Sequence, residues 1–457
     1  MTHYGLNPSF VYSSPLALFS NLLRRGRRFE VFTPAGVPTG EASPVGEDGL
    51  PREDGRLHGV KVWPGGVGPC PLEVPTGRPI EYLSGAVACV AHGWVGAPDQ
   101  VKPHAPSVDA LASLRPQVLR TLDWQRTNVR PDWTKPRVLP TDLLQGTDRG
   151  MAVELQAEAA NLLGCHLWWC APPRFELSVA DYEVRMEEYL RAIKDTAQKP
   201  PILEYGNELW NAAFPVHGWL RGDWISAPLA TTTRQENAAH EIAILKRVAD
   251  RVFGPPGPLG AKPYYLFVGG QLTVPSHLDR ILSALAQLGV TPDLAGPALY
   301  VTPMKAQREE WEATGAVPSQ DELRASCFAR LEEIAAPGRI NDAGNFVGLG
   351  PLSEHYRVCI HHGVPYFACY EAGQSLIAGS HPWRRAALEA QRTEWMGELY
   401  REIRRVAESA GVDLLCWYSA ATQQDPKDPR VAVFGLLESD EADVSKWLPK
   451  ARAARGE

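Results

Sequence analysis

A chain of 457 residues with 44% hydrophobic and 22% charged side chains is too long for one small core and has the composition of a globular protein. Its formal net charge of -7 argues against a nucleic-acid backbone as the main partner. No apolar run approaches the ~18 residues needed to span a bilayer, so no membrane partner is predicted. The start, MTHYGLNPSF, lacks a basic segment followed by an apolar one. We therefore expect either a cytoplasmic protein or a secreted one whose signal peptide has been removed.

From residue 106 onward, apolar strand patterns alternate with amphipathic helix patterns. The predicted strands are YGLNPSF (4–10), VLRTLDW (118–124), CHLWWCAPP (165–173), ILEY (202–205), YYLFVGG (264–270), DLAGPALYV (293–301), VPYFACYE (364–371) and DLLCWYS (413–419). The predicted helices are 151–164, 181–195, 234–253, 276–289, 319–336, 352–362 and 383–410. Eight strands alternating with helices predict an α/β fold of the (β/α)₈ TIM-barrel class. A doubly wound sheet is the alternative, although no G-x-G-x-x-G follows an early strand.

Residues 34–105 differ in composition, being rich in Gly and Pro with short β-like pieces such as HGVKVWP, RPIEYL and GAVACVAHG. We predict a small β-rich module inserted after the first barrel strand. Residues 1–33 then form the first strand and helix, and 106–457 the remainder of the barrel. The eight cysteines form no CxxC pair, so buried free thiols are expected, with a Cys70–Cys89 disulfide as the alternative.

Functional residues of a (β/α)₈ barrel lie at the carboxyl ends of its strands, so polar and aromatic residues there are candidate substrate contacts. In chain order these candidates are Arg120, Asp123, Trp124, Trp168, Trp169, Asn207, Glu208, Trp210, Tyr300, Glu371, Gln374 and Trp417. The chain's 14 Trp residues suit flat platforms for sugar rings.

Two of these candidates, Glu208 after the fourth strand and Glu371 after the seventh, are predicted to face each other across the barrel. Two carboxylates in one cleft can cleave a glycosidic bond. One donates a proton to the leaving oxygen, while the other attacks the anomeric carbon or activates water. Like charges split their pKa values, so one carboxyl can stay protonated near neutral pH. A lone Glu after a strand is also common as a helix N-terminal charge, so the ordered combination carries the prediction.

The segments LRTLDWQRTN, ELQAEAANLLGCHLWWCAPP, LEYGNELWN, YEAGQS and FGLLE carry a family resemblance. Together they resemble glycoside hydrolase clan A, the retaining (β/α)₈ glycosidases, and most closely a bacterial and phage group often labelled cellulase-like. The resemblance covers roughly residues 106–440. It implies a retaining β-glycosidase that acts on β-linked poly- or oligosaccharides, and that group also carries a β-rich insertion.

The resemblance implies roles for the matching residues. Glu208 would be the general acid/base and Glu371 the nucleophile. Asn207 would hydrogen-bond the sugar 2-hydroxyl, and Arg120 would support the charge of the nucleophile.

Two further roles follow from the same resemblance. Tyr300 would contact the nucleophile, and Trp417 would form the floor under the −1 sugar. The sequence departs from the clan at two histidines. One is missing two residues before Tyr300, and the other has no clear counterpart in strand three, where His166 is expected to be buried.

Other charged residues near these strands have simpler interpretations. Glu204 lies four residues before Glu208, so strand alternation sends both inward, and Glu204 is expected to be a structural acid paired with a cation such as Arg120. His361 and His362 lie at a predicted helix end, where histidines favour the helix dipole.

The alternative function is a non-catalytic carbohydrate-binding protein on a glycosidase-like barrel, although both glutamates are retained. A barrel of another chemistry would be expected to show a Schiff-base Lys or a Gly-rich phosphate site, and neither is visible. No cofactor and no metal are predicted, because acid/base chemistry by two carboxylates needs none. The sugar, its linkage, endo or exo action and the oligomeric state stay open.

Overall fold

A parallel sheet that closes on itself forms the centre of the structure. The structure, a computed structural model, describes residues 3–7, 80–83, 86–89, 105–140, 149–223, 233–257, 261–340, 346–377, 381–420, 434–437 and 443–457. Its strands are β1 (His3–Asn7), β2 (Ile80–Leu83), β3 (Ala86–Cys89), β4 (Val118–Arg120), β5 (His166–Ala171), β6 (Ile202–Tyr205), β7 (Tyr265–Gly270), β8 (Leu294–Pro297), β9 (Leu299–Val301), β10 (Pro337–Ile340), β11 (Phe346–Leu349), β12 (Tyr366–Gln374) and β13 (Leu414–Tyr418).

Helices surround this sheet. They are α1 (Ala105–Ser113), α2 (Leu122–Gln125), α3 (Val153–Leu162), α4 (Val179–Thr196), α5 (Pro215–Leu220), α6 (Arg234–Phe253), α7 (Pro275–Gln287), α8 (Lys305–Thr314), α9 (Gln320–Ala335), α10 (Pro351–His361), α11 (Arg384–Ala390), α12 (Glu394–Ser409) and α13 (Pro449–Arg455). A turn of 3-10 helix, Val444–Lys446, precedes α13.

The barrel strands pair in parallel in the order β1, β4, β5, β6, β7, β8, β12 and β13, and β13 returns to β1. Beyond β8, the short β9 pairs with the same neighbour, β12, so β8 and β9 are successive halves of one barrel strand. Eight strand positions therefore close a TIM-barrel-like sheet. This confirms the predicted α/β class and parallel barrel, and it excludes an open doubly wound sheet.

The eight predicted strand segments each overlap a barrel strand, but several boundaries differ; β12, for example, continues to Gln374, beyond the predicted end at residue 371. The strand predicted over 118–124 ends at Arg120, because the chain turns at once into the short helix α2. The single long helix predicted over 383–410 is two helices, α11 and α12. The side chain of Thr393 accepts a hydrogen bond from Met396 N and so begins a new helix there.

The predicted β-rich insertion remains a prediction. Two of its β-like pieces form an antiparallel hairpin, β2 with β3. The piece HGVKVWP and most of residues 34–105 lie outside the described residues, so the boundaries at 33, 34, 105 and 106 also stay predictions.

Alternation along the strands separates two layers of core. On β5, Trp168 and Cys170 belong to a cluster inside the barrel, while Leu167 and Trp169 belong to the larger cluster between barrel and helices. Inward and outward residues alternate in this way along barrel strands. A residue's position along its strand therefore decides whether it can reach the cleft at the barrel's carboxyl end.

The helices pack their apolar faces against this barrel. In α4, the predicted face of Tyr182, Met186, Tyr189 and Ile193 is buried. Ser178 begins that helix by accepting a hydrogen bond from Asp181 N at 3.1 Å.

Among the described residues, Cys165, Cys170, Cys327, Cys359, Cys369 and Cys416 are free and buried, as predicted. The alternative Cys70–Cys89 pair lies outside the residues whose side chains are described. No helix in the described ranges has the length and apolarity needed to cross a membrane.

Ser319→Ala is expected to lower the free energy of unfolding by about 1 kcal/mol, because it removes the capping box of α9. Ser319 Oγ accepts from Glu322 N at 3.2 Å, and Glu322 Oε2 accepts from Ser319 N at 2.7 Å. Urea denaturation measures the change. The control is Ser276→Ala, an exposed serine of α7 that is not a cap, for which we expect less than about 0.5 kcal/mol. Equal losses in both variants would contradict the capping role.

Candidate active site

Arg120 lies at the carboxyl end of β4, with its guanidinium fully buried inside the barrel. Its Nε and Nη2 donate to the two oxygens of Glu204 at 2.8 and 2.9 Å. Nη1 donates to Glu371 Oε1 at 2.8 Å, and Nη2 also donates to Asn207 Oδ1 at 2.8 Å. A buried charge is tolerated when it is paired and hydrogen-bonded. This one cation therefore fixes side chains from β6, from the turn after β6 and from β12 relative to one another.

Glu204 is the structural partner of this cation, as predicted. Besides Arg120, its Oε2 accepts from Trp168 Nε1 at 2.8 Å and from the Cys170 thiol at 3.2 Å. Trp168 is fully buried and faces Arg120 with its ring, 5.5 Å from guanidinium carbon to ring centroid. The prediction that Trp168 contacts a sugar is therefore wrong. Trp168 instead packs against the Arg120–Glu204 ion pair and hydrogen-bonds Glu204.

Glu371 reaches the barrel interior because β12 is irregular at this point. Its register with β13 shifts between Cys369 and Ala372, which is the signature of a β-bulge. The two residues between them, Tyr370 and Glu371, both turn inward, although strict alternation would send one of them out. Besides the guanidinium, Glu371 accepts a hydrogen bond from the Tyr300 hydroxyl at 2.8 Å.

Glu208 is held in a tight turn after β6. Gly206 has φ +67° and Glu208 itself has φ +44°, a left-handed conformation that non-glycine residues adopt at a cost of roughly 1 kcal/mol. A Cβ at Gly206 would lie 2.6 Å from Leu209 Cδ2, a side-chain end that can move, so it is the positive φ that favours glycine in this turn. The Glu208 carboxyl accepts from Asn211 Nδ2 at 2.8 Å and from the Tyr370 hydroxyl at 3.3 Å.

The two carboxyls differ in their partners. Burial and the negative charge of Glu371 raise the pKa of Glu208 to about 7. Burial also raises the pKa of Glu371, but the Arg120 guanidinium and the Tyr300 hydroxyl stabilise its ionised form and oppose that rise. Within the described part of the chain, Glu208 accepts hydrogen bonds from an amide and a phenol, whereas Glu371 is paired with a guanidinium. These partners favour the protonated form of Glu208 and the ionised form of Glu371.

The Tyr370 hydroxyl group contacts one of the two carboxyls, that of Glu208. The oxygen lies 3.3 Å from Glu208 Oε1, 3.3 Å from the Gly270 carbonyl oxygen and 3.2 Å from Trp210 Nε1, which donates to it. A phenol has one hydrogen to donate, so it can serve either the carboxylate or the carbonyl. The sequence places Tyr370 at the end of the seventh predicted strand, but we predicted no role for it, because the bulge that turns it inward has no signal in the sequence.

Asn207 is buried and is hydrogen-bonded to both Arg120 and Asn128. Its Oδ1 accepts from Arg120, which leaves Nδ2 as the donating side of the amide. Nδ2 donates to Asn128 Oδ1 at 3.0 Å. The amide is therefore oriented from both sides.

Asp123 supplies a third carboxyl near the pair. Burial and the charge of Glu371 raise its pKa to about 7. The Tyr418 hydroxyl donates to Asp123 Oδ2 at 3.3 Å, and the Tyr418 ring packs with those of Tyr300 and Phe434. Tyr418 and Phe434 were also missing from the predicted site. For Tyr418, strand alternation could have shown that it faces the same side as Cys416.

Three of the predicted aromatic contacts face away from the cleft. Trp417 packs outward on Tyr400 of α12, with ring centroids 5.2 Å apart, so the predicted sugar floor at this residue is corrected. Trp169 stacks on Tyr189 of α4, and Trp124 is buried in the same outer core. All three lie on the helix-facing side of the barrel wall, where a sugar cannot reach them.

Two further candidates differ in exposure. Gln374 is fully buried, and its Oε1 accepts from Leu376 N at 2.8 Å, so it organises the chain after β12 and does not contact a ligand. Trp210 is half-buried beside Tyr370 and remains able to meet a substrate.

The histidines discussed from sequence lie elsewhere. His166 was expected to be buried but is only half-buried at the start of β5, where its Nδ1 lies 2.8 Å from the Pro200 carbonyl oxygen. His362 follows α10, and its Nε2 lies 2.8 Å from Asp279 Oδ1.

No family model matches the chain, and no curated protein matches it. Among solved structures, it is similar at low identity to glycoside hydrolases of clan A. A GH51 arabinofuranosidase from Xanthomonas axonopodis pv. citri is 12% identical, with a TM-score of 0.43; the match covers 72% of this chain and 62%, less than two thirds, of that enzyme. A family 51 α-L-arabinofuranosidase from Bifidobacterium longum is 10% identical with a TM-score of 0.46, covering 77% of this chain and 67% of that one. A GH10 endoxylanase from a sugarcane soil metagenome is 10% identical with a TM-score of 0.42, covering 76% and 91%.

Tyr370→Phe is expected to raise the pKa of Glu208 by up to about one pH unit, because it removes a donor to the ionised carboxylate. Infrared titration of the protonated carboxyl band, taken as the difference from Glu208→Gln, measures that pKa. Tyr366→Phe, an exposed tyrosine on the same strand, is the control and should leave it unchanged. An unchanged or lowered value in Tyr370→Phe would contradict the hydrogen bond.

Glu208→Gln should stabilise the folded protein more at about pH 8 than at about pH 5. The folded pKa, about 7, lies above the usual 4.5, so the favourable protonation of the folded state is lost as the pH rises through 7. At the higher pH the wild type buries an ionised carboxylate that glutamine lacks. Thermal unfolding at both pH values measures the effect, with exposed Glu332→Gln as the control. A gain that is equal at both values would contradict the raised pKa.

Proposed function

We propose that the protein is a retaining β-glycoside hydrolase that cleaves β-linked poly- or oligosaccharides. The observation that supports this is the difference between its two inward carboxyls. Glu371 is paired with a guanidinium and accepts a phenol hydrogen bond, while Glu208 accepts from neutral donors and holds its proton up to about pH 7. A nucleophile must be ionised and a general acid protonated, and the guanidinium beside Glu371 and the raised pKa of Glu208 favour these two states.

In the first step, Glu208 gives its proton to the glycosidic oxygen as the bond to the anomeric carbon breaks. A Glu371 oxygen forms the new bond to that carbon, and the leaving sugar departs as an alcohol. The Glu371 ester that forms carries no negative charge. Arg120 keeps Glu204 as its anionic partner at this stage. In the second step, ionised Glu208 takes a proton from water, whose oxygen displaces Glu371 from the anomeric carbon.

The fixed side chains around the pair suit a sugar ring. Asn207, oriented by Arg120 and Asn128, would bind the 2-hydroxyl next to the reacting carbon. Tyr300 and Tyr418 offer half-buried rings for the apolar face of the sugar, in the role that the sequence had suggested for a tryptophan. Asp123 lies within the same group and would accept hydrogen bonds from sugar hydroxyls.

Tyr370 has a positioning role in this scheme. When Glu208 is ionised, between the two steps, the phenol hydrogen serves its carboxylate. When Glu208 is protonated, the same hydrogen can turn to the Gly270 carbonyl. The hydroxyl can therefore follow the change of Glu208 from acid to base without movement of the backbone.

Wild-type protein is expected to hydrolyse at least one member of a panel of aryl β-glycosides and β-linked polysaccharides. Glu371→Ala should lose this activity by at least about 10⁴-fold, since the covalent step needs its carboxylate. Glu208→Ala should be slow and should regain turnover of an aryl glycoside with azide, giving a glycosyl azide of the β configuration. The control is Glu332→Ala, an exposed residue of α9, which should match wild type.

Two outcomes would count against the proposal. Hydrolysis with inversion at the anomeric carbon would rule out the double displacement. Sugar binding without turnover on any substrate, unchanged in both alanine variants, would favour the alternative of a non-catalytic carbohydrate-binding protein.

A further inference from the structure

Three helices carry basic residues that act on one another electrostatically, and two of these residues, Arg234 and His277, lie beside Trp210 and Gly270. Another of them, Arg221, is also 3.8 Å from Asp223 Oδ1. His217 lies in α5 and Arg221 ends it, Arg234 is the first residue of α6, and His277 and Arg280 lie near the start of α7. We call these five residues the basic cluster. Burial lowers the pKa of Arg234, His217 and His277, and neighbouring cations lower it further: Arg221 acts on Arg234, and Arg234 acts on both imidazoles.

Arg234 is the central member of the basic cluster. Its Nη1 donates to the Trp210 carbonyl oxygen at 3.1 Å, and its Nη2 lies 3.3 Å from His277 Nδ1. In the part of the chain that the structure describes, this half-buried guanidinium has no carboxylate partner. Residues 224–232, which precede it, read WISAPLATT and contain no acid. A partly desolvated guanidinium without an anion is costly, unless a ligand supplies the anion.

The position of Arg234 connects the basic cluster to the candidate acid. Arg234, His277, Trp210 and Gly270 line one small surface depression. The Trp210 indole and the Gly270 carbonyl are the same groups that contact the Tyr370 hydroxyl, which in turn contacts Glu208. A general acid touches the oxygen between two sugars, so a group in this depression would lie beside the leaving sugar.

We propose that the basic cluster binds an acidic group of the substrate, a carboxylate or a sulfate ester on the leaving-group side of the scissile bond. The term leaving-group side rests on the proposed glycosidase function, whereas the binding of an anion does not. The chain as a whole is acidic, with a net charge of -7, so an acidic glycan has no general attraction to it. Recognition must then come from a local group of cations, and Arg234 has the planar donor geometry that suits a carboxylate or sulfate.

Anion binding at the basic cluster should depend on pH. The groups that face the two imidazoles are Arg221 and Asp223 after α5, Arg234 of α6 and Arg280 of α7. Apart from Asp223 these are cations that disfavour protonated imidazole. A bound anion offsets them, so it should draw protons onto His217 and His277 and bind more tightly as the pH falls.

The first test measures binding alone, with inorganic sulfate, D-glucuronate and neutral D-glucose as probes. Sulfate or glucuronate should shift the imidazole NMR signals of His217 and His277 saturably, and glucose should not. Affinity should be at least about threefold higher at about pH 5.5 than at about pH 7.5. Arg234→Met should weaken binding about tenfold, while Arg385→Met, an exposed arginine of α11, should not.

The outcomes of this test separate the alternatives. A stronger response to glucuronate supports a uronic acid as the ligand, and a stronger response to sulfate supports a sulfate ester. Equal responses in wild type and Arg234→Met, or none at all, would overturn the proposal. His277→Gln, which keeps a donor and an acceptor, serves as a second variant in case Arg234→Met does not fold, and it should lose the pH dependence from this ring.

The second test uses any substrate found in the hydrolysis panel, with a neutral and a uronate-bearing leaving sugar. The ratio of kcat/KM for the acidic to the neutral form should fall about tenfold in Arg234→Met and stay constant in Arg385→Met. An unchanged ratio in Arg234→Met would overturn the leaving-group placement. Anion binding without any hydrolysis would count against the glycosidase function and leave the binding site standing.

Discussion

A single buried cation holds the candidate site together. The Arg120 guanidinium uses its donors on Glu204, Glu371 and Asn207, so three carboxyl or amide groups take their positions from one rigid plane. Two anions can be buried side by side only because this charge lies between them. A lysine could not replace it, since a point charge lacks the fork that reaches both carboxylates at once.

The backbone contributes two local irregularities that regular strands could not provide. The bulge in β12 turns Tyr370 and Glu371 inward together, and the left-handed turn after β6 aims Glu208 at them. Together they bring a carboxyl paired with a guanidinium and a carboxyl of raised pKa to one end of the barrel. Each irregularity costs free energy, and packing of the surrounding core keeps it in place. Backbone strain of this kind is often found at functional sites.

Strand ends could be predicted from the sequence, but the direction of each side chain could not. Apolar runs and their order gave the barrel, the strand ends that carry the two glutamates and the pairing of Glu204, because period and polarity are local properties. The inward side was assigned wrongly at Trp417. The strand LLCWY contains no charged or amide residue, so its sequence shows no alternation of polarity that identifies the inward side. The bulge and the basic cluster depend on contacts between distant segments, which no local pattern encodes.

The conformation of Glu208 destabilises the folded protein and is therefore explained by function and not by folding. Its φ of +44° is one that glycine adopts freely, and its carboxyl is buried beside another acid. Replacement of Glu208 by glycine would remove both the backbone strain and the buried acid. Loss of Arg120 would instead leave Glu204 and Glu371 buried without their cation. If selection on activity were relaxed, drift would therefore remove the acid first and keep the arginine. A descendant of this chain could then lose the proposed activity while its barrel, and the ion pair at its centre, persisted.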